Sequence, residues 1–234
     1  MKYGQLVANT SMNETIYRCF EYISKASKED ERRFVRKFRE QRTNGWQMTD
    51  TFRELVLGAH LCSKGFRARY ERAVESQTPD WAVLGKDQKI VGIVEVMSFH
   101  APKAVEDEFE DFVDEVAKRQ NPLSTDVWVH WPNAHWPNNS KRLYQRIQDK
   151  ISKYKGLVEK HSLPFALAKF NQFPAEVLPA ELKEWLLDKE TGLFTDYPHL
   201  SGVLFFREGN GDHYLPYNFE YLKNPEPSIE FNLS

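Results

Sequence analysis

The sequence holds only two cysteines, Cys19 and Cys62, in 234 residues. Two thiols cannot build a disulfide framework, and no cysteine spacing of the zinc-binding kind occurs. Both lie in amphipathic stretches, where cysteine serves as a small buried hydrophobe in a reducing compartment. Long apolar runs are missing too. No segment approaches the ~20 apolar residues of a membrane span, and residues 1–12 lack the apolar core of a signal peptide. Nor is there an excess of one charge: 32 Lys and Arg face 34 Asp and Glu, a formal net charge of −2. The total therefore points to no polyanionic partner, although a balanced total leaves room for a local basic face. No internal repeat or low-complexity tract is present. The expectation is a soluble cytoplasmic protein without a membrane segment.

Aromatic and aliphatic residues are plentiful. Hydrophobic residues make up 41% of the chain, with 16 Phe, 10 Tyr and 6 Trp, enough for a packed core. Ile16, Phe20 and Ile23 predict a helix over 13–25. Ser27 with Asp30 has the form of a capping box opening a charged second helix with Phe34, Val35 and Phe38 as its stripe. Thr43-Asn44-Gly45 breaks the pattern. A third helix is predicted over 51–64, on Phe52, Leu55, Val56, Ala59 and Cys62, with Lys64-Gly65 as its stop.

Strands are predicted over 66–73, 80–84 and 90–99. Helices follow over 104–119 and from a Ser140 cap to about 160, the latter burying Leu143, Ile147, Ile151, Tyr154 and Val158. Between them 126–131 reads as a strand. Further strands fall at 163–170 and 202–206, with a short helix from Pro179 between them. An early meander followed by alternation implies an α/β fold, a mixed central sheet flanked by helices. Residues 1–48 read as an N-terminal helical extension, 49–210 as the core, and 211–234 as a C-terminal tail packed on the core.

The hairpin carries the chemistry. With a two-residue loop at Asp87-Gln88, Lys86 pairs with Lys89, and counting back along both strands sets Asp80 opposite Glu95. Their Cβ atoms would then lie ~5 Å apart on one face. Two carboxylates so placed repel unless a proton or cation intervenes, and oxygen ligands suit Mg²⁺ or Mn²⁺. Alternation along the second strand sets Val94, Val96 and Ser98 on one face, and Ile93, Glu95 and Met97 on the other. Glu95 lies inside an apolar strand, where an unpaired carboxylate is costly. For Asp80, an Asx-type turn after Pro79 stays open as a second reading.

Pro79-Asp80 followed by Glu95-Val96-Met97 resembles the signature of the PD-(D/E)XK nuclease superfamily, the restriction-endonuclease-like fold. The similarity covers about residues 50–170, more loosely to 210. A helix with Phe52-Arg53-Glu54-Leu55 precedes the first strand, as the family's first helix with its acidic residue does. The resemblance implies that Asp80 and Glu95 hold a divalent cation for phosphodiester hydrolysis, with DNA the expected substrate, and that Glu54 joins the site. Glu54 could equally cap its own helix, the three-residue spacing from Thr51 being that of a capping box.

The sequence departs from the signature at the family's lysine, where Met97 stands. Either another cation has taken over, Lys103 lying just past the strand close to the carboxylates while Lys86 and Lys89 lie ~20 Å away at the hairpin tip, or the core is a non-catalytic module that binds nucleic acid or a protein. Lys103 also reads as a solvated residue ahead of a helix. Arg142, Arg146 and Lys150 belong to a basic helix surface that could meet phosphates. Trp131 and Trp136 could stack on bases if exposed, or a Pro-fixed loop could tuck them onto the protein.

Overall fold

The structure, a computed structural model, describes residues 6, 10–42, 44–97, 99–105, 107–108, 111, 138–171, 176–209 and 215–233. Three helices open the chain: α1 (Thr10–Ala26), α2 (Lys28–Glu40) and α3 (Gly45–Ser63). A hairpin pair of strands and a third follow: β1 (Arg67–Tyr70), β2 (Trp81–Leu84) and β3 (Ile90–Met97). Then come α4 (Asn139–His161), β4 (Phe165–Phe170), α5 (Pro179–Leu187), the single-turn α6 (Leu193–Asp196), β5 (Leu200–Glu208) and β6 (Tyr217–Lys223).

The six strands form one sheet in chain order. The pairs β1–β2, β2–β3 and β5–β6 are antiparallel, while β3–β4 and β4–β5 are parallel. This is the expected mixed α/β architecture. Two hydrophobic clusters sandwich the sheet. One joins α1, α2 and α3 (Ile16, Phe20, Phe34, Phe38, Leu55) to Val94, Val96, Ala166 and Ala168. The other joins α4 and α5 (Leu143, Ile147, Ile151, Leu182) to Ile93, Met97, Phe165 and Leu167. The period-2 division of β3 is therefore as its sequence implies.

Several boundaries differ from the sequence expectation. The third helix starts at Gly45, six residues earlier, because Asn44 caps it by accepting the Gln47 N–H at 3.1 Å. Its end agrees: Gly65 takes φ 85, the left-handed conformation that glycine adopts without strain. The α4 cap is Asn138, accepting the Lys141 N–H at 2.8 Å, and Ser140 lies inside the helix. The first strand is shorter than 66–73. The segment expected as a surface tail supplies β6, whose seven residues pair with β5. The helix expected over 104–119 lies largely, and the strand over 126–131 wholly, outside the described residues. Among the described residues no helix is long and apolar enough to cross a membrane.

One detail of α2 prepares the site. Ser27 accepts the Asp30 N–H at 3.1 Å, as in a capping box, and the Asp30 carboxylate also serves the neighbouring strand. It accepts the Tyr70 N–H at 3.2 Å and the Arg69 Nε at 3.1 Å. A donor of the edge strand β1 is thereby satisfied by a buried side chain rather than left open.

Candidate active site at the β2–β3 edge

The register of β2 on β3 pairs Trp81 with Val94 and Ala82 with Ile93. Asp80, one residue before β2, therefore stands opposite Glu95, as the hairpin count implies. A bulge between Val83 and Leu84 is confined to the other end. The two acids interlock. The Asp80 N–H donates to Glu95 Oε2 at 3.1 Å, and the Val96 N–H donates to Asp80 Oδ2 at 2.7 Å. The Asp80 carboxylate thus reaches across to the partner strand and does not close an Asx turn on its own segment.

Glu95 is nearly closed from solvent, its side chain 4% exposed. Helix α4 lies over it. Lys150 Nζ donates to Oε1 at 2.7 Å, Tyr154 Oη donates to Oε2 at 2.9 Å, and Lys153 Nζ stands 3.7 Å from Oε1. Positions 150, 153 and 154 are three and four residues apart, so one helix face presents all three. Burial, then the charges of Glu95 and Glu54, push the Asp80 carboxyl up to about 8. At neutral pH this buried acid favours its neutral form unless a cation offsets the neighbouring charge.

Glu54 enters from α3. It lies two helical turns inside the helix, and Thr51 bonds Gln41 Oε1 at 2.7 Å, so neither residue is a cap. Tyr70 Oη donates to Glu54 Oε2 in a short hydrogen bond, and Lys37 Nζ of α2 stands 3.7 Å from the same oxygen. The Glu54 carbonyl accepts the Trp81 Nε1–H at 2.9 Å, tying α3 to the residue after Asp80. Burial raises the Glu54 carboxyl above its ordinary range, against the lowering by Tyr70 and Lys37.

The cation at Glu95 is not Lys103. Lys103 is exposed and makes no ion pair with Asp80 or Glu95. The basic surface of α4 also divides. Arg142 is held by the protein, donating to the His100 carbonyl at 2.8 Å and to Asn139 Oδ1 at 3.1 Å while lying 5.1 Å over the Phe99 ring. Arg146 is exposed, and Lys150 turns inward. Trp131 and Trp136 lie outside the described residues. Sequence reading missed the contacts of Tyr154 with Glu95 and of Tyr70 and Lys37 with Glu54. Tyr154 was legible only as part of a buried stripe; its spacing from Lys150 was the available signal.

Among the described residues no three His, Cys, Asp or Glu side chains form a group able to hold a metal ion by themselves. A cation here would rest on Asp80 and Glu95, completing its shell with water and substrate oxygens, as Mg²⁺ commonly does. Two interlocked carboxylates, one pushed towards its neutral form by burial and then by the other's charge, are oxygen donors of the kind such a cation takes, and it would compete with the donors already on Glu95. Comparison with protein-family models, with curated proteins and with solved structures gives no match for this chain.

Proposed function

We propose that this chain is a divalent-metal-dependent phosphodiester hydrolase with a restriction-endonuclease-like core, acting on nucleic acid and on DNA in particular. The observation that carries the reading is the trio Asp80, Glu95 and Lys150. Two carboxylates meet across β2 and β3, and a lysine from α4 stands 2.7 Å from the second. The element order supports it: a helix bearing Glu54, then antiparallel strands bearing the acids, then a parallel continuation. Two unpaired cysteines suit a reducing setting such as the cytoplasm.

Asp80 and Glu95 would hold Mg²⁺ or Mn²⁺, which when bound supplies an activated water and offsets charge on the phosphoryl oxygens. Lys150 fills the role left open by Met97. Its side chain is 31% exposed, and its ammonium can donate to a phosphate oxygen as charge builds there. Tyr154 holds the Glu95 carboxylate in orientation. Arg146 and Lys153, both exposed on α4, would meet flanking phosphates.

One observation favours a second reading, a nuclease-like module that binds nucleic acid or a protein without cleaving. Lys150, Tyr154 and the Asp80 N–H already engage both oxygens of Glu95. Plasmid cleavage decides between them. The hydrolase should nick DNA with Mg²⁺ or Mn²⁺ and stop with chelator. Asp80→Asn and Glu95→Gln should abolish the activity, Lys150→Met should cost about 10²–10³ in kcat, and Lys103→Ala should change little. A wild type that neither cleaves nor binds Mn²⁺ in calorimetry, yet binds DNA with a steep salt dependence, would instead be the module.

A further inference from the structure

The acid pair is served by α4 on one side. On the other side α2 makes a set of contacts that the hydrolase reading does not use. Lys37 Nζ donates to Tyr70 Oη at 2.5 Å and to Glu71 Oε1 at 2.7 Å, and stands 4.8 Å over the Tyr70 ring. Tyr70 Oη in turn donates to Glu54. Tyr70 itself is 1% exposed and gripped along its backbone: Asp30 accepts its N–H at 3.2 Å, and Arg33 donates to its carbonyl at 3.2 Å. Three residues of one face of α2, namely Asp30, Arg33 and Lys37, thus fix a single tyrosine whose hydroxyl ends on the carboxylate nearest Asp80 on the α3 side.

We propose that Lys37 is a positioning residue of this site, holding the Glu54 carboxylate beside Asp80 through the Tyr70 hydroxyl, so that α2 is a working part of the site. The proposal rests on the hydrolase reading for its consequence in catalysis, but not for the linkage itself. The physical argument is one of charge. Glu54 is 18% exposed and carries Asp50 and Glu71 as like-charged neighbours, with Asp80 beyond. A carboxylate so surrounded takes up a proton or turns to solvent unless donors hold it. Among the described residues Lys37 is the ammonium within ion-pair distance of it, and Tyr70 supplies the hydrogen bond that sets its direction. Arg33 contributes its charge nearby through the Tyr70 carbonyl.

The test uses the full chain with Lys37→Met, Lys37→Arg and Tyr70→Phe, and two readouts. The first is the carboxyl carbon shift of Glu54 followed by NMR against pH. In Lys37→Met its midpoint should rise by about one unit or more, the scale of losing one close opposite charge, with Tyr70→Phe moving it the same way and Lys37→Arg leaving it near wild type. The second is plasmid cleavage. Lys37→Met should lower kcat about tenfold, with KM unchanged and recovery in Lys37→Arg. An unmoved Glu54 midpoint in Lys37→Met overturns the linkage whether or not the protein cleaves DNA. A moved midpoint in Lys37→Met, together with a wild type that cleaves nothing, keeps the linkage and sinks the hydrolase reading instead. A moved midpoint with kcat unchanged overturns the positioning role in the reaction.

Discussion

Lys169 stands level with Met97 across the parallel pair β3–β4 and is fully buried. Its Nζ reaches the Phe170 carbonyl at 3.4 Å and the Asn171 side-chain oxygen. Burial, then the charge of Arg53, push its ammonium down to about 7. Unfolded, a lysine keeps its ordinary value near 10.4. Between these two values the unfolded chain binds more protons, so this residue makes stability rise as pH rises from about 7 to about 10. Replacing it removes that slope. Lys169→Met should be more stable than wild type at pH 7, and the difference should shrink towards pH 10, by at most on the order of 4 kcal/mol. Urea denaturation of both proteins at several pH values reads this directly, and parallel stability profiles would disprove it. The same scale shows why the two acids were legible and their cation was not. Asp80 and Glu95 share a hairpin, so counting residues brings them together. Lys150 is 55 residues from Glu95, and no local pattern marks which strand a helix will cover. Lys103 follows the end of the strand that carries Glu95, and a position just past a strand fixes proximity only within that turn.

At the scale of elements, α3 packs so closely on β2 that Gly58 is required. A Cβ on Gly58 would lie 1.9 Å from the Trp81 ring. Alanine would gain about 1 kcal/mol of helix propensity, but it must displace a fully buried indole that donates to the Glu54 carbonyl. Overpacking of this kind costs about 1–3 kcal/mol, occasionally more, and the lost hydrogen bond adds about 1 kcal/mol. Gly58→Ala should therefore be net destabilising and should lower any activity, since Trp81 adjoins Asp80. A melting temperature at or above wild type would show that α3 can shift without cost. Helix existence was readable from 3.6-residue periodicity at α1 to α5, whereas starts were not. Asn44 and Asn138 won over Thr51 and Ser140 because a cap is chosen by backbone geometry at the chain's entry to the helix, and several residues nearby carry a suitable oxygen.

For the molecule as a whole, the C-terminal segment is a structural closure rather than a tail. After β6, Phe231 lies against Gly92 on β3, with a Cβ there only 2.9 Å from its ring, and Leu233 is fully buried. Tyr221 Oη donates to the Phe231 carbonyl at 2.9 Å, and His60 Nε2 lies 3.2 Å from the Leu233 carbonyl. Two buried apolar side chains are worth about 1.5–3 kcal/mol each, against a typical total of about 5–15 kcal/mol. Deleting residues 226–234 should lower the melting temperature by several degrees or more. An unchanged transition would show that this segment adds nothing to the core.

What the sequence determined by itself is local and periodic. Helical stripes, the alternation of β3, the Gly65 stop, and the meeting of Asp80 with Glu95 all depend on residues in one helix or hairpin, where spacing fixes which side chains share a face. Tertiary structure decided the rest: β6 at the sheet edge, Lys150 and Tyr154 on Glu95, and Lys37 on the Tyr70–Glu54 pair. These meetings depend on which helix covers which face of the sheet. That is set by burial summed over two large clusters, an area-dependent force without direction. Long polar side chains then take the partners that burial brings within reach.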